Sequence, residues 1–252
     1  MTEPSARDHY SYSYYADAKT AAAFDDRRFG GPIGELVAAT QARVLSNFVG
    51  RIQERKILDV GTGTGRAALL FARGGAWVTG IDASEEMLAV ARQRAAADGV
   101  VATFAVGDAH ALTFPDRSFD VAISLRVLMH TPDWRRCIAE LCRVGDQLVI
   151  IDYPSARSAA ALQSIGRRVL ATIGRSAEPY RVLSDAEVAL ALTRCGFRVR
   201  SVHHQFVLPI AVHKAIGSRG FTTRVEGWLE RAGLLKTLGS PVTLVAERCL
   251  TS

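Results

Sequence analysis

Ile57-Leu58-Asp59-Val60-Gly61-Thr62-Gly63-Thr64-Gly65 runs an apolar β-type segment into a glycine-rich turn, and residues 66–73 then read as a helix closed by Gly74-Gly75. Strand, glycine turn, helix is the opening unit of a doubly wound α/β sheet, where the glycines let the backbone turn sharply and approach a ligand. A GxG pattern alone is equally the mark of a plain strand-to-helix turn, so the decision rests with the later strand ends.

Downstream, short β-type runs alternate with helical ones, the pattern of a parallel sheet covered by helices. Residues 76–81, 100–106, 119–124 and 147–151 read as strands two to five, the last three apolar enough for burial on both faces. Ser84 is suited to cap the helix after strand two, with Glu85 and Glu86 complementing its positive end and Gly99 closing it. Residues 133–144, 156–173 and 184–193 read as further helices. Residues 197–207 and 241–249 read as a late strand pair, and the long stretch between them, 208–240, exceeds any hairpin and reads as a helical insertion. Residues 34–48 carry helical spacing, and residues 10–29 are rich in Tyr and Phe.

The expected organisation is one domain, 1–252. It comprises an N-terminal helical cap (1–50), a cofactor-binding core (56–152), helical insertions (153–195 and 208–240) and a terminal portion (197–249) with the final strand pair. An apolar share of 48% against 22% charged residues is that of a chain able to fill a core. No secretion signal or membrane span is expected. Cys137, Cys142, Cys195 and Cys249 make no CxxC or Cys/His ligand spacing, so neither a metal nor a disulfide framework is expected, and a cytoplasmic setting fits best. The net charge of +6 is spread along the chain, and its densest stretch, Arg157 to Arg181, lacks the aromatics of a nucleic-acid stacking platform. A small-molecule partner is therefore preferred over nucleic acid, and homo-oligomerisation is left open.

Two further strand ends sharpen the site. Asp82 closes strand two, where its carboxylate can accept both hydroxyls of a ribose. Gly107-Asp108-Ala109 follows strand three, where a carboxylate can meet an adenine amine. Each is singly an ordinary turn; their succession at three consecutive strand ends is not.

These motifs resemble the class I methyltransferases, in particular the group of quinone-pathway and other small-molecule enzymes. Residues 57–65 look like that family's first motif, Gly80-Ile81-Asp82-Ala83-Ser84-Glu85-Glu86-Met87-Leu88 its second, Gly107-Asp108-Ala109 its adenine-side motif, and Phe114-Pro115-Asp116-Arg117-Ser118-Phe119-Asp120-Val121 its fourth-strand signature. The resemblance is specific over residues 56–151. It implies a Rossmann-like, seven-stranded mixed sheet with helices on both faces and an antiparallel last strand, and S-adenosyl-L-methionine as cofactor. By the same resemblance, Gly61 and Gly63 lie against the methionine part, Asp59 holds the amino group, Asp82 binds the ribose and Asp108 with Ala109 flanks the adenine. Thr62, Ala83, Met87 and Leu125 complete the implied contacts. The competing dinucleotide pattern needs its third glycine one residue later.

His130 is the candidate base, since its pKa range suits proton removal; its alternative role is ordering the loop before Thr131-Pro132. The Glu-x-x-Glu-His pattern of some metal-assisted O-methyltransferases is absent, Arg126 and Met129 standing in its place. Asp152 either meets substrate or anchors the turn before Pro154. Tyr14, Tyr15, Phe24, Arg27, Arg28 and Phe29 read as a lid or as a packed helix. His203 and His204 alternate across a strand, which disfavours a shared metal. The expected acceptor is a small, partly apolar metabolite enclosed in part by residues 206–210 and 212–216. RNA methylation and non-catalytic cofactor binding are the alternatives.

Overall fold

The computed structural model describes Asp25 and residues 28–158 and 181–249. Tyr14, Tyr15, Phe24 and Arg27 of the expected lid, and most of the helix expected over 156–173, lie outside the described residues.

One sheet organises the molecule, in the order β3-β2-β1-β4-β5-β7-β6. Its strands are β1 (Lys56–Val60), β2 (Trp77–Asp82), β3 (Thr103–Val106), β4 (Phe119–Ser124), β5 (Gly145–Tyr153), β6 (Phe197–Phe206) and β7 (Ser240–Arg248). β1 to β5 pair in parallel, and β7 runs antiparallel between β5 and β6. This is the Rossmann-like mixed sheet implied by the motifs.

Alternation along each strand divides the core in two. Leu58, Val60, Ala122 and Val149 face a cluster with helices α4 (Trp134–Val144) and α5 (Asp185–Arg194). Ile57, Val121, Ile123 and Ile150 face the other cluster, with α1 (Gly31–Val49), α2 (Arg66–Arg73) and α3 (Glu85–Asp98). The sequence-derived caps of α3 hold: Ser84 Oγ accepts from Met87 N at 3.1 Å, and Gly99 ends the helix in the left-handed conformation; Asp133, read as the first helical residue, is instead the N-cap of α4.

The segment 208–240 is helical as expected, forming α6 (Ile210–Ile216), α7 (Arg219–Arg231) and α8 (Leu235–Leu238). The third strand departs from expectation. It begins only at Thr103 and buries only Phe104, because β3 is the sheet edge; Val101, read as part of a buried run, is 91% exposed in the preceding loop. No helix among the described residues is long and apolar enough to cross a membrane.

Candidate functional site

Sheet order reverses at β1, whose neighbours are β2 on one side and β4 on the other, and a crevice opens outside the carboxyl ends at such a point. Asp59, in β1, is buried. Its Oδ2 accepts from Thr62 Oγ1 at 2.7 Å and from Ala68 N, in the first turn of α2, at 3.2 Å. Burial pushes this carboxyl up to about 6 despite those two donors. The glycine turn folds back onto β2 through Gly61 N and Thr62 N, which donate to Ile81 O at 2.8 and 2.9 Å. Gly61 has φ +71°, and a Cβ there would come within 2.1 Å of Val127 Cγ2, so only glycine lets this turn close against the loop after β4.

Asp82, at the end of β2, braces the same turn. Its Oδ2 accepts from Gly63 N at 2.8 Å and its Oδ1 from Ser84 N at 3.0 Å. Burial raises its pKa, and the amides of Ser84, Gly63 and Ala83 oppose the rise. At the third strand end, Gly107 and Ala109 line the cleft, whereas Asp108 does not; its Oδ1 accepts from His110 N at 2.8 Å and lies 2.8 Å from His110 Nδ1.

Across β1, Ser124 Oγ donates to Val60 O at 3.0 Å, locking the ends of β1 and β4 together. Arg126 follows with φ +65°, and its N–H donates to Asp152 Oδ1 at the end of β5. Asp152 is buried, which raises its pKa, while Arg126 and Arg28 pull it back. The Arg126–Asp152 bond ties the loop after β4 to β5, and it is neither a substrate contact nor the anchoring of the turn before Pro154 that the sequence suggested. A short 3₁₀ turn, Leu128–His130, then brings buried His130 to the cleft.

The roof comes from before α1. The Arg66 guanidinium stacks 3.5 Å over the Phe29 ring, and Thr64 Oγ1 donates to Asp25 Oδ2 at 3.0 Å, an oxygen shared with Arg94. Burial lowers the pKa of Arg66. The insertion reaches this roof through Lys214 Nζ, which donates to Arg28 O at 2.9 Å, and the first turn of α1 through Arg219 Nε, which donates to Pro32 O at 2.9 Å.

Asp59, Gly61, Thr62, Gly63, Asp82, Ala83, Met87, Ala109, Leu125 and His130 thus line one cleft, with Asp108 outside it. Residues 206–216 do not line it. Ile210, Val212 and Ile216 are exposed, and the inward residues of that segment, Phe206 and His213, pack on the insertion itself. The apolar lining comes instead from Phe29, Ile81, Met87, Leu125 and Val127. Sequence reasoning missed Gln41, Arg66 and Val127 as lining residues; Arg66 carried a usable signal, as the first helical residue after the glycine turn. Among the described residues no group of three or more His, Cys, Asp or Glu is placed to hold a metal.

The profile of the family described as "Methyltransferase domain" matches residues 57–146. Demethylmenaquinone methyltransferase of Tropheryma whipplei (strain Twist) is 29% identical over 192 residues, spanning 69% of this chain and 79% of that protein. Ajmaline N-methyltransferase of Rauvolfia serpentina is 30% identical over 187 residues, spanning 69% and 62%. Among solved structures, magnesium protoporphyrin IX methyltransferase from Synechocystis PCC 6803 with bound SAH superposes with a TM-score of 0.67 at 18% identity, covering 95% of this chain and 98% of that one.

Proposed function

This chain belongs to the class I, S-adenosylmethionine-dependent methyltransferases, and we propose that it methylates an oxygen, nitrogen or carbon of a small, partly apolar metabolite. The observation that carries this reading is the convergence of the glycine turn, Asp59 and Asp82 with His130 on one cleft at the switch point of the sheet.

The residues present suit the cofactor. Asp59 turns its hydrogen-bonded Oδ2 to the protein, and its carboxylate would hold the donor's ammonium. Asp82 would accept the ribose hydroxyls, the backbone at Gly61, Thr62 and Gly63 would cradle the methionine portion, and Ala83, Met87, Ala109 and Leu125 would enclose the adenosine. Bound there, S-adenosylmethionine supplies a methyl group already activated by its sulfonium. The protein's task is then alignment and exclusion of water. Positioning contributes roughly 7–11 kcal/mol, whereas a general base adds about 10²–10⁴-fold. His130, buried in the cleft lining, would take a proton from the acceptor.

Calorimetry with S-adenosylmethionine, its demethylated product and NAD tests the cofactor: the first two should bind and NAD should not. Incubation with methyl-labelled donor should put label into small metabolites and not into RNA. Label in RNA, or NAD binding, would replace this reading.

A further inference from the structure

Three of the four cysteines converge where α4, α5 and the end of β7 meet. Cys142 lies in the last turn of α4, Cys195 is the C-cap of α5, and Cys249 directly follows β7. Helices α4 and α5 pack against one another, and Cys195 packs on the apolar cluster to which Cys142 belongs. There the two thiols hydrogen-bond to each other. Neither lines the cleft, so the methyl-transfer site makes no use of them.

The two sulfurs are not equivalent. Cys142 is buried, and its bond to Cys195 together with that burial holds its thiol protonated, far above the ordinary range. Cys195 is partly exposed and accepts that bond, which with the nearby Arg248 guanidinium brings its thiol down to about 7 against the effect of burial. Arg248 is itself fixed, since its Nη2 donates to Cys142 O and Gly145 O, both at 2.6 Å, and its guanidinium lies 4.5 Å over the Phe197 ring. The thiolate is the nucleophile, and cysteines that are partly exposed beside a cation are the reactive ones, whereas fully buried ones are inert. Cys137, buried in the same helix as Cys142 with its thiol pushed up to about 12, is of the inert kind.

We propose that Cys195 and Cys142 are a thiol pair oxidised by hydrogen peroxide, Cys195 taking the attack and Cys142 closing a disulfide between α5 and α4. The Cys195 thiolate attacks one peroxide oxygen: an S–O bond forms, the O–O bond breaks, and the departing hydroxide takes up the proton that Cys195 released. The Cys142 sulfur then attacks the Cys195 sulfur: the S–S bond forms, the S–O bond breaks, and the hydroxyl leaves as water with the Cys142 proton. The two thiols lose two electrons, and one peroxide is reduced to two waters. A dithiol reverses the bond by exchange. Cys249 is the rival partner for Cys195, because it is exposed and its N–H donates to Gly196 O at 2.8 Å. This site stands independently of the methyl-transfer reading.

The test treats the full chain with hydrogen peroxide, blocks the remaining thiols with iodoacetamide and maps tryptic peptides by mass spectrometry. Trypsin places the four cysteines on three peptides, 137–143, 195–198 and 249–252. The first should be joined to the second, with two of the four thiols lost and the link dissolved by dithiothreitol. Fragmentation of the joined peptides should put the bond on Cys142 and not on Cys137. In Cys142→Ala, oxidation should stop at a sulfenic acid on Cys195, which dimedone captures. The proposal is overturned by peptide 195–198 joined to 249–252, by a bond on Cys137, or by four alkylated cysteines after peroxide. A Cys142→Ala chain with no dimedone adduct on Cys195 overturns it as well. The peptide map uses the parent chain, so it decides the pairing whether or not the variant folds.

Discussion

Glu226, inside the helical insertion, and Asp59, at the head of the sheet, are both buried carboxylates, and they are solvated on opposite terms. Glu226 is enclosed by its own segment: Oε2 accepts from Val207 N at 2.8 Å, and Oε1 accepts from Leu208 N at 3.0 Å and meets His213 Nε2 at 2.8 Å. With its proton on Nε2, His213 donates to Glu226 and accepts at Nδ1 from the Thr222 hydroxyl, 3.1 Å away. Both oxygens are satisfied and the network is closed, the mark of scaffolding. Asp59 takes both its hydrogen bonds on Oδ2, lines the cleft, and carries the burial cost as a raised pKa. A closed network fixes a shape, whereas a carboxylate buried at a cleft with one oxygen uncommitted is arranged for a cation still to come.

The largest test of that contrast is Glu226→Ala. It removes the acceptor for two amides and a fully buried imidazole, and each buried donor left unsatisfied costs about 1–3 kcal/mol. Urea unfolding should show a loss of at least that size. A loss below about 1 kcal/mol would mean the insertion is held by its apolar contacts, and the two carboxylates would no longer differ in kind.

Asp59→Asn should act in the opposite direction on stability. An acid whose folded pKa is raised from 3.8 to about 6 favours the folded state fully below the lower value, and that contribution is lost as pH rises through the upper one. The ligand-free parent is therefore expected to lose about 3 kcal/mol between pH 4 and pH 8 through this group, at about 1.4 kcal/mol per pKa unit. The asparagine variant, whose single carbonyl oxygen can keep both bonds now made by Oδ2, should not. Its advantage in urea melts should appear at pH 8 and vanish at pH 4. Donor affinity of the parent should correspondingly fall as pH drops below about 6, and in the variant it should be low throughout.

What could be read in advance divides along the same line. The strand ends at Asp59, Asp82 and Gly107 were legible because each is an apolar run broken by glycine or aspartate, and Ser84 and Gly99 because capping is a local property. The Glu226 network was not, since His213 and Thr222 mean nothing until α6 and α7 fold onto one another. Apolar character misled at residues 206–216, where His213 turns inward and Val212 and Ile216 face solvent. Arg126 was noticed only as a departure from a motif. Its left-handed backbone is enforced by Asp152, a residue of another strand, and no local pattern announces that.

Asp82→Ala sharpens the distinction within the cleft, because Asp82 serves both purposes: it braces Gly63 and Ser84, and its carboxylate lines the site. Loss of hydrogen bonds to an ionised group costs about 1.5–3 kcal/mol. Donor affinity by calorimetry should fall at least tenfold. Asp82→Asn should keep one of the two braces yet still weaken the donor, since an amide oxygen is a poorer acceptor for hydroxyls than a carboxylate. Unchanged affinity in the alanine variant would remove Asp82 from the proposed ribose contact.

The smallest effect belongs to the roof, which comes from outside the sheet. Phe29→Leu preserves apolar cover but deletes the ring face beneath the Arg66 guanidinium, an interaction worth about 0.5–1 kcal/mol, rising to about 2 when desolvated. A loss of about 0.5–1.4 kcal/mol corresponds to a donor affinity about two- to tenfold lower, with global stability little changed. Phe29→Leu combined with Arg66→Gln isolates the pair: if the ring serves the donor by holding the guanidinium, the double variant should bind the donor no more weakly than Arg66→Gln alone. Full additivity would show that Phe29 meets the donor on its own account, and the roof would then belong with Asp59 among the groups completed by a ligand.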